Sequence, residues 1–170
     1  MSQKLIPEHI DPYRFAEQSL GLDGDVNISE MHRLSANVVD KEGAVKVSLT
    51  FGVDEQKVTF LRGQLQANLK LQCQRCMKSF NYEIISNFVL GIVRTLEEAD
   101  QLPDTYEPAL TKDNILALRD VIEDEIILNL PIIPRHEVAD CEVKLPLKDK
   151  DWETTKNENP FQVLKVLKNK

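Results

Sequence analysis

Between Leu65 and Cys73 every second residue is apolar, and the row runs straight into two thiols, Cys73-Gln74-Arg75-Cys76. The apolar set is Leu65, Ala67, Leu69 and Leu71; the alternates Gln66, Asn68, Lys70 and Gln72 are polar. A period of two fits a strand with one face in a core and the other facing water or a partner. A helix would scatter the same residues around its axis. Val45, Val47, Leu49, Phe51 and Val53 repeat the pattern after the turn signal Asp40-Lys41-Glu42-Gly43, and Val58 and Phe60 open a further strand with a break expected at Arg62-Gly63. Beyond the thiols, Phe80, Tyr82 and Ile84 resume the row, followed by Phe88, Leu90 and Ile92. The simplest arrangement is an antiparallel pair whose connecting loop holds both thiols. Further strands extend it to an antiparallel β-meander or small open barrel in an α+β fold.

Helical signals flank this region. Asp11 is placed to cap a helix with Pro12 at its first position, and Gly21 and Gly24 close that segment. The acidic, proline-marked stretch from Leu96 to Leu110 reads as loop. Asp113 is then expected to cap a buried helix, with Ile115, Leu118, Ile122 and Ile126 on one stripe and Pro131 and Pro134 ending it. Residues 1–143 form one expected domain. Residues 144–158 read as a charged mobile linker, with Trp152 in it as a partner anchor or a cap on a core edge. Residues 159–170 read as a C-terminal helix opened by Asn159-Pro160.

At 170 residues and 42% hydrophobic content the chain suits a single domain with a core. No stretch approaches 18 uninterrupted apolar residues, and the first residues lack a signal-peptide core. Three cysteines without a secretion signal imply a reducing compartment, so a cytoplasmic protein without disulfides, membrane contact or small-molecule substrate is expected.

The net charge of −7 argues against a generic nucleic-acid binder, but it is unevenly spread. Val93 to Leu128 carries ten acids and three bases, which accounts for the whole excess. Gln56 to Tyr82 has no acid and five bases, Lys57, Arg62, Lys70, Arg75 and Lys78. Arg62, Lys70, Arg75 and Lys78 are therefore candidate RNA contacts, with Phe80 and Tyr82 nearby for stacking; ordinary strand solvation explains the same charges. Glu123, Asp124 and Glu125 fan around a helix and read first as a solvated face. A binding surface for a basic protein, using Asp120, Glu123 and Asp124, is the alternative.

The thiols allow two chemistries. A structural zinc site wants four soft or borderline ligands, and Cys73, Cys76, His136 and Cys141 make a Cys3His set. Its halves are separated by 59 residues, so it is a tertiary site that would pin the segment after the helix onto the hairpin loop. A dithiol oxidoreductase is the rival, but a redox CxxC opens a helix beside a βαβ unit, and this one lies between strands. Plain thiols in a turn remain the alternative to both. His9 and His32 have no evident partners. Neither a Gly-rich phosphate loop nor a Ser/His/Asp pattern is recognisable.

Five segments together resemble the bacterial large ribosomal RNA subunit accumulation (YceD) family. They are Leu71-Gln72-Cys73-Gln74-Arg75-Cys76; Tyr106-Glu107-Pro108; Val121 through Pro131; Pro134-Arg135-His136 with Cys141; and Asn159-Pro160-Phe161-Gln162-Val163-Leu164. The resemblance covers nearly the whole chain. It implies a non-enzymatic role in synthesis, processing or stability of 23S ribosomal RNA, with ribosomal RNA, a large-subunit ribosomal protein, or both as partners. Distant members carry further cysteine pairs where this chain has His136 and Cys141.

Overall fold

The computed structural model describes residues 5–141. The elements in order are β1 (His9–Ile10), α1 (Pro12–Glu17), β2 (Gly21–Asn27), a 3-10 turn (Ile28–Glu30), α2 (His32–Ser35), β3 (Ala44–Val53), β4 (Thr59–Gln72), β5 (Ser79–Val93), α3 (Leu96–Ala99), β6 (Glu107–Leu110), β7 (Leu116–Ala117) and α4 (Leu118–Leu128). The fold is α+β. Five strands form one open sheet in the order β2-β3-β4-β5-β6, and β1 pairs with β7 in a small second sheet. The expectations for 144–158, Trp152 and 159–170 lie outside the described residues.

β2 to β5 are an antiparallel meander, as the alternation implies. Register decides which side chains share a face. Val45, Val47, Leu49 and Phe51 of β3 lie beside Leu61, Leu65, Ala67, Leu69 and Leu71 of β4, all buried. On β5, Ile84, Phe88, Leu90 and Ile92 complete this apolar face. Helices cover it: Phe15 of α1 meets the Phe51 ring edge-on at 5.2 Å, and Met31, Leu34, Leu118, Ile122 and Ile126 are essentially inaccessible. Each such side chain contributes about 1.5–3 kcal/mol by leaving water.

The expected break at Arg62-Gly63 does not occur; β4 runs unbroken from Thr59 to Gln72. Gly63 faces Phe88 across the pair, and a Cβ there would lie 2.1 Å from the Phe88 ring. The glycine makes room for the ring rather than ending the strand.

Four other expectations are corrected. Gly21 and Gly24 do not close a helix; α1 ends at Glu17, and both glycines lie in β2, paired with Thr50 and Val47. The Leu96–Leu110 stretch is not all loop. It holds α3, capped by the Thr95 hydroxyl, and β6, which pairs parallel to the last four residues of β5. The sheet is thus antiparallel except at one edge. Asp113 does not cap the buried helix. With Asn114 it takes positive φ, 53° and 61°, in the tight turn that bridges Lys112 to Ile115. α4 starts five residues later, where the Glu8 carbonyl accepts from the amides of Leu118 and Arg119.

The fourth correction concerns the acidic face of α4. Glu123 and Glu125 are buried, at 4% and 8% exposure. Glu123 Oε1 accepts from the amides of Arg33 (2.6 Å) and Leu34 (2.9 Å), and its Oε2 accepts from Arg33 Nε (3.1 Å). α2 has no side-chain cap of its own, and Glu123 supplies one from another helix. Arg33 also pairs with Asp124 and donates to the Asp120 carbonyl. Glu123 is therefore spent inside the fold and is not a free element of a protein-binding surface; only Asp120 and Asp124 are exposed.

Candidate metal centre and the surfaces around it

The hairpin loop between β4 and β5 is shaped by its own backbone. The Cys73 amide donates to the Lys78 carbonyl (2.9 Å), the Met77 amide returns to the Cys73 carbonyl (2.9 Å), and Met77 takes a φ of 61°. That knuckle turns both thiols to the same side. The segment after α4 comes back to meet them. Pro131 and Pro134 cannot continue a helix, and the Pro134 carbonyl accepts from the Gln74 amide at 2.8 Å. His136 and Cys141 are carried onto the knuckle, so all four sequence-derived ligand candidates converge.

One ligand atom from each of Cys73, Cys76, His136 and Cys141 lies within 4.8 Å of all the others. Cys76 Sγ and His136 Nδ1 are 3.3 Å apart. A tetrahedron with zinc–sulfur bonds of about 2.3 Å has edges of about 3.8 Å, so small side-chain adjustments convert this cluster into a four-coordinate site. Cys73 and Cys141 are buried, and Cys76 and His136 are half-buried. The Phe80 ring packs on the imidazole at 4.9 Å between centroids.

The surroundings favour a thiolate at Cys73 and oppose one at Cys76. Burial opposes charge on Cys73. Amide donors from His136, Cys76 and Arg75 outweigh it, and the thiol falls to about 5. For Cys76 the Lys78 amide pulls downward, but burial and the neighbouring Cys73 and Cys141 together push it up. The His136 imidazole is disfavoured as a cation by burial, yet Cys73 and Cys141 raise it overall. A cation bound among these groups would favour their deprotonated forms.

Arg75, one of the candidate RNA contacts, has partners of its own beside the thiols. Its Nε donates to Cys141 Sγ (2.9 Å), and its Nη2 donates to the carbonyls of His136 (3.3 Å) and Glu137 (3.4 Å). These bonds hold the segment that carries His136 and Cys141 against the knuckle, in the way outer partners of metal ligands do, and Arg75 is half-buried there. Its partners lie more than sixty positions away in the chain, so nothing local in the sequence pointed to them.

The remaining RNA candidates divide. Arg62 and Lys70 point to the open face of the sheet, with Lys46, Gln64, Gln66, Asn68, Asn81 and Asn87. Lys78 is exposed on the knuckle. The open face is amide-rich but not basic, because Asp23, Asp25 and Glu83 share it with the three cations. Arg62 also lies over the Phe60 ring at 5.8 Å. His9 and His32 are exposed and lie outside both sites.

A second concavity was not visible in the sequence. An open groove of about 900 Å³ runs from the open face of β3, β4 and β5 to the start of β6 and the end of α4, lined among others by Ser48, Arg62, Asn87, Glu107, Glu125 and Leu128. Among the described residues no helix is long and apolar enough to cross a membrane.

Comparison with known proteins bears on both features. The family model described as large ribosomal RNA subunit accumulation protein YceD matches residues 61–168, which includes the knuckle and all four ligand candidates. A Haemophilus influenzae protein named large ribosomal RNA subunit accumulation protein YceD is 33% identical over 179 aligned positions, covering 100% of each chain. No solved structure matches significantly.

Proposed function

The chain belongs to the YceD family of large ribosomal RNA subunit accumulation proteins, and from that membership we propose that it is a non-enzymatic, cytoplasmic ribosome-biogenesis factor. In this reading it supports the synthesis, processing or stability of 23S ribosomal RNA. The observation that carries the reading is the end-to-end likeness to a relative whose name states that role.

The geometry supports docking more than bond-making. The open sheet face offers carboxamides and hydroxyls in rows set by the strand spacing, with Arg62 and Lys70 eight residues apart on β4, roughly 26 Å. Phosphates and bases of a folded RNA would be met by hydrogen bonds over that width. Three acids balance the three cations there, so the contact would depend less on counterion release than that of a basic protein and show a shallow salt slope.

The Cys3His cluster fits a structural zinc ion. Bound there, zinc would crosslink the knuckle to the segment after α4 and add to the folding free energy. Cys73, Cys76, His136 and Cys141 would be its ligands, and Arg75 would hold the Cys141 sulfur and the loop carbonyls in place.

Crosslinking in cells followed by sequencing of the bound RNA tests the function. Enrichment of 23S sequences that is lost in an Arg62→Ala/Lys70→Ala variant is expected. Wild-type protein that crosslinks no ribosomal RNA would remove the direct-contact model. A protein-contact reading is favoured by one further feature, the groove beside β5.

A further inference from the structure

Two observations meet at the groove. The first is an unused sheet edge. β5 has fifteen residues, and β6 pairs only with Leu90 to Val93, so residues 79–89 have no neighbouring strand on that side among the described residues. An open edge presents a row of amide and carbonyl groups that can template another chain. The second is Glu125. It is 8% exposed and lines the groove, and no hydrogen bond or ion pair reaches its carboxylate among the described residues. Burial, aided by Glu107 and Asp124, holds its pKa above the ordinary carboxylate range. Its carboxylate oxygens are not sealed from solvent, since among the described residues the only buried side-chain polar atom without a partner is Arg119 Nε; they open into the groove, where a cationic side chain can reach them. Two positions earlier on the same helix, Glu123 is fully satisfied, so an open carboxylate is not a general property of α4.

The lining gives the sign and shape of what fits. Asp104, Glu107 and Glu125 stand against one cation, Arg62. Ile85 (58% exposed) and Leu128 (74%) are apolar contacts on the rim. We propose that this groove seats an extended, positively charged polypeptide segment. Its backbone continues the sheet along the free edge of β5, and a lysine or arginine side chain faces Glu125 and Glu107. Backbone pairing supplies the affinity and the carboxylate pocket supplies the selection, as in other strand-addition complexes. The segment ends against β6, which already occupies the next stretch of the edge. The proposal names a partner for the assembly-factor reading. It shares Arg62 and Gln64 with the open face but rests on Glu125, Glu107 and the β5 edge, so the Glu125→Gln test can fail while RNA contact stands, and the reverse.

The test uses full-length protein and a fluorescent ten-residue peptide alternating lysine or arginine with valine. Binding is read by anisotropy, and amide exchange follows residues 79–89. Saturable binding with slowed exchange along that edge is expected. Glu125→Gln should weaken binding tenfold or more, while the unbound variant keeps its melting cooperativity. The same peptide with N-methylated alternate amides, which cannot pair with a strand, should bind at least tenfold more weakly than the parent. Equal affinity for an acidic peptide, unchanged affinity in both Glu125→Gln and Glu107→Gln, or equal binding of the N-methylated peptide would overturn the proposal. So would edge protection in peptide-free protein that grows with its concentration, which would assign the edge to a second copy. Displacement of the peptide by a single-stranded RNA oligonucleotide at equimolar concentration would reassign the groove to nucleic acid.

Discussion

Two junctions tie distant parts of this chain together with buried polar groups, and they differ in whether they are complete. At one, Glu123 reaches Arg33 and Leu34 from ninety positions away, and every hydrogen bond closes within the protein. At the other, Cys76 meets His136 across sixty positions at 3.3 Å, and three sulfurs and an imidazole crowd within 4.8 Å of one another, a donor set that a cation can bind. The first needs nothing added. The second would gain stability if a cation joined it. Buried polarity in this fold is thus of two kinds, one structural by itself and one that a ligand can complete.

The comparison is sharpest under chelation. With zinc a thousandfold above its dissociation constant, linkage predicts about 4 kcal/mol of added stability. Melting with and without a strong chelator should show a gap of that order. The gap should vanish in Cys73→Ser/Cys76→Ser, and no gap in the wild-type protein would put both junctions in the self-sufficient class. Next in size is Glu123→Ala, expected to cost about 2–4 kcal/mol in denaturant titrations, because the Arg33 and Leu34 amides lose their acceptor. This loss should be the same with and without zinc. A zinc-dependent loss would mean that the junctions are coupled. Gly63→Ala probes the sheet between them. Its methyl meets the Phe88 ring, and overpacking of this kind costs about 1–3 kcal/mol.

The smallest effect is on Glu125. Its pKa is raised in the folded state, so the folded protein holds the proton more tightly than the unfolded chain does. The contribution is favourable below the unfolded carboxylate pKa and is lost as pH rises through the folded one. Glu125→Gln should therefore be the more stable protein at pH 7, by on the order of 1 kcal/mol. The difference should close on acidification to pH 3. A variant that is less stable at pH 7 would show that Glu125 has an internal partner, as Glu123 does.

Much of the sheet was legible because period-two rows are local. So was the Cys3His cluster, since cysteines and histidines are scarce enough for four of them to be assembled on paper. β2 was missed because Gly21, Asp23, Gly24 and Asp25 are turn residues by composition; they form a strand because β3 offers a complete ladder, a tertiary gain that overrides weak local preference. β6 was missed for a similar reason, as a short strand containing Pro108 at a sheet edge. The burial of Glu123 was not readable, since its partner amides lie on another helix. A glutamate directly after Ile122, on the border of the apolar stripe, was the one available hint. The groove was invisible because it depends on where β6 stops pairing.

The knuckle also sets an order of events. Cys73 and Cys76 occupy the turn of the longest hairpin, whose ladder runs from Gln72–Ser79 back to Phe60–Gly91. Bringing those two sulfurs together closes a loop of a few residues, whereas seating His136 closes one of about sixty. The chain entropy of the longer closure is greater by roughly 2–3 kcal/mol. A metal arriving early would meet two sulfurs on a nascent hairpin and acquire its third and fourth donors only once α4 has docked. Cobalt used as a reporter in refolding should then brighten in two steps, and the second would time the arrival of the chain's last described segment.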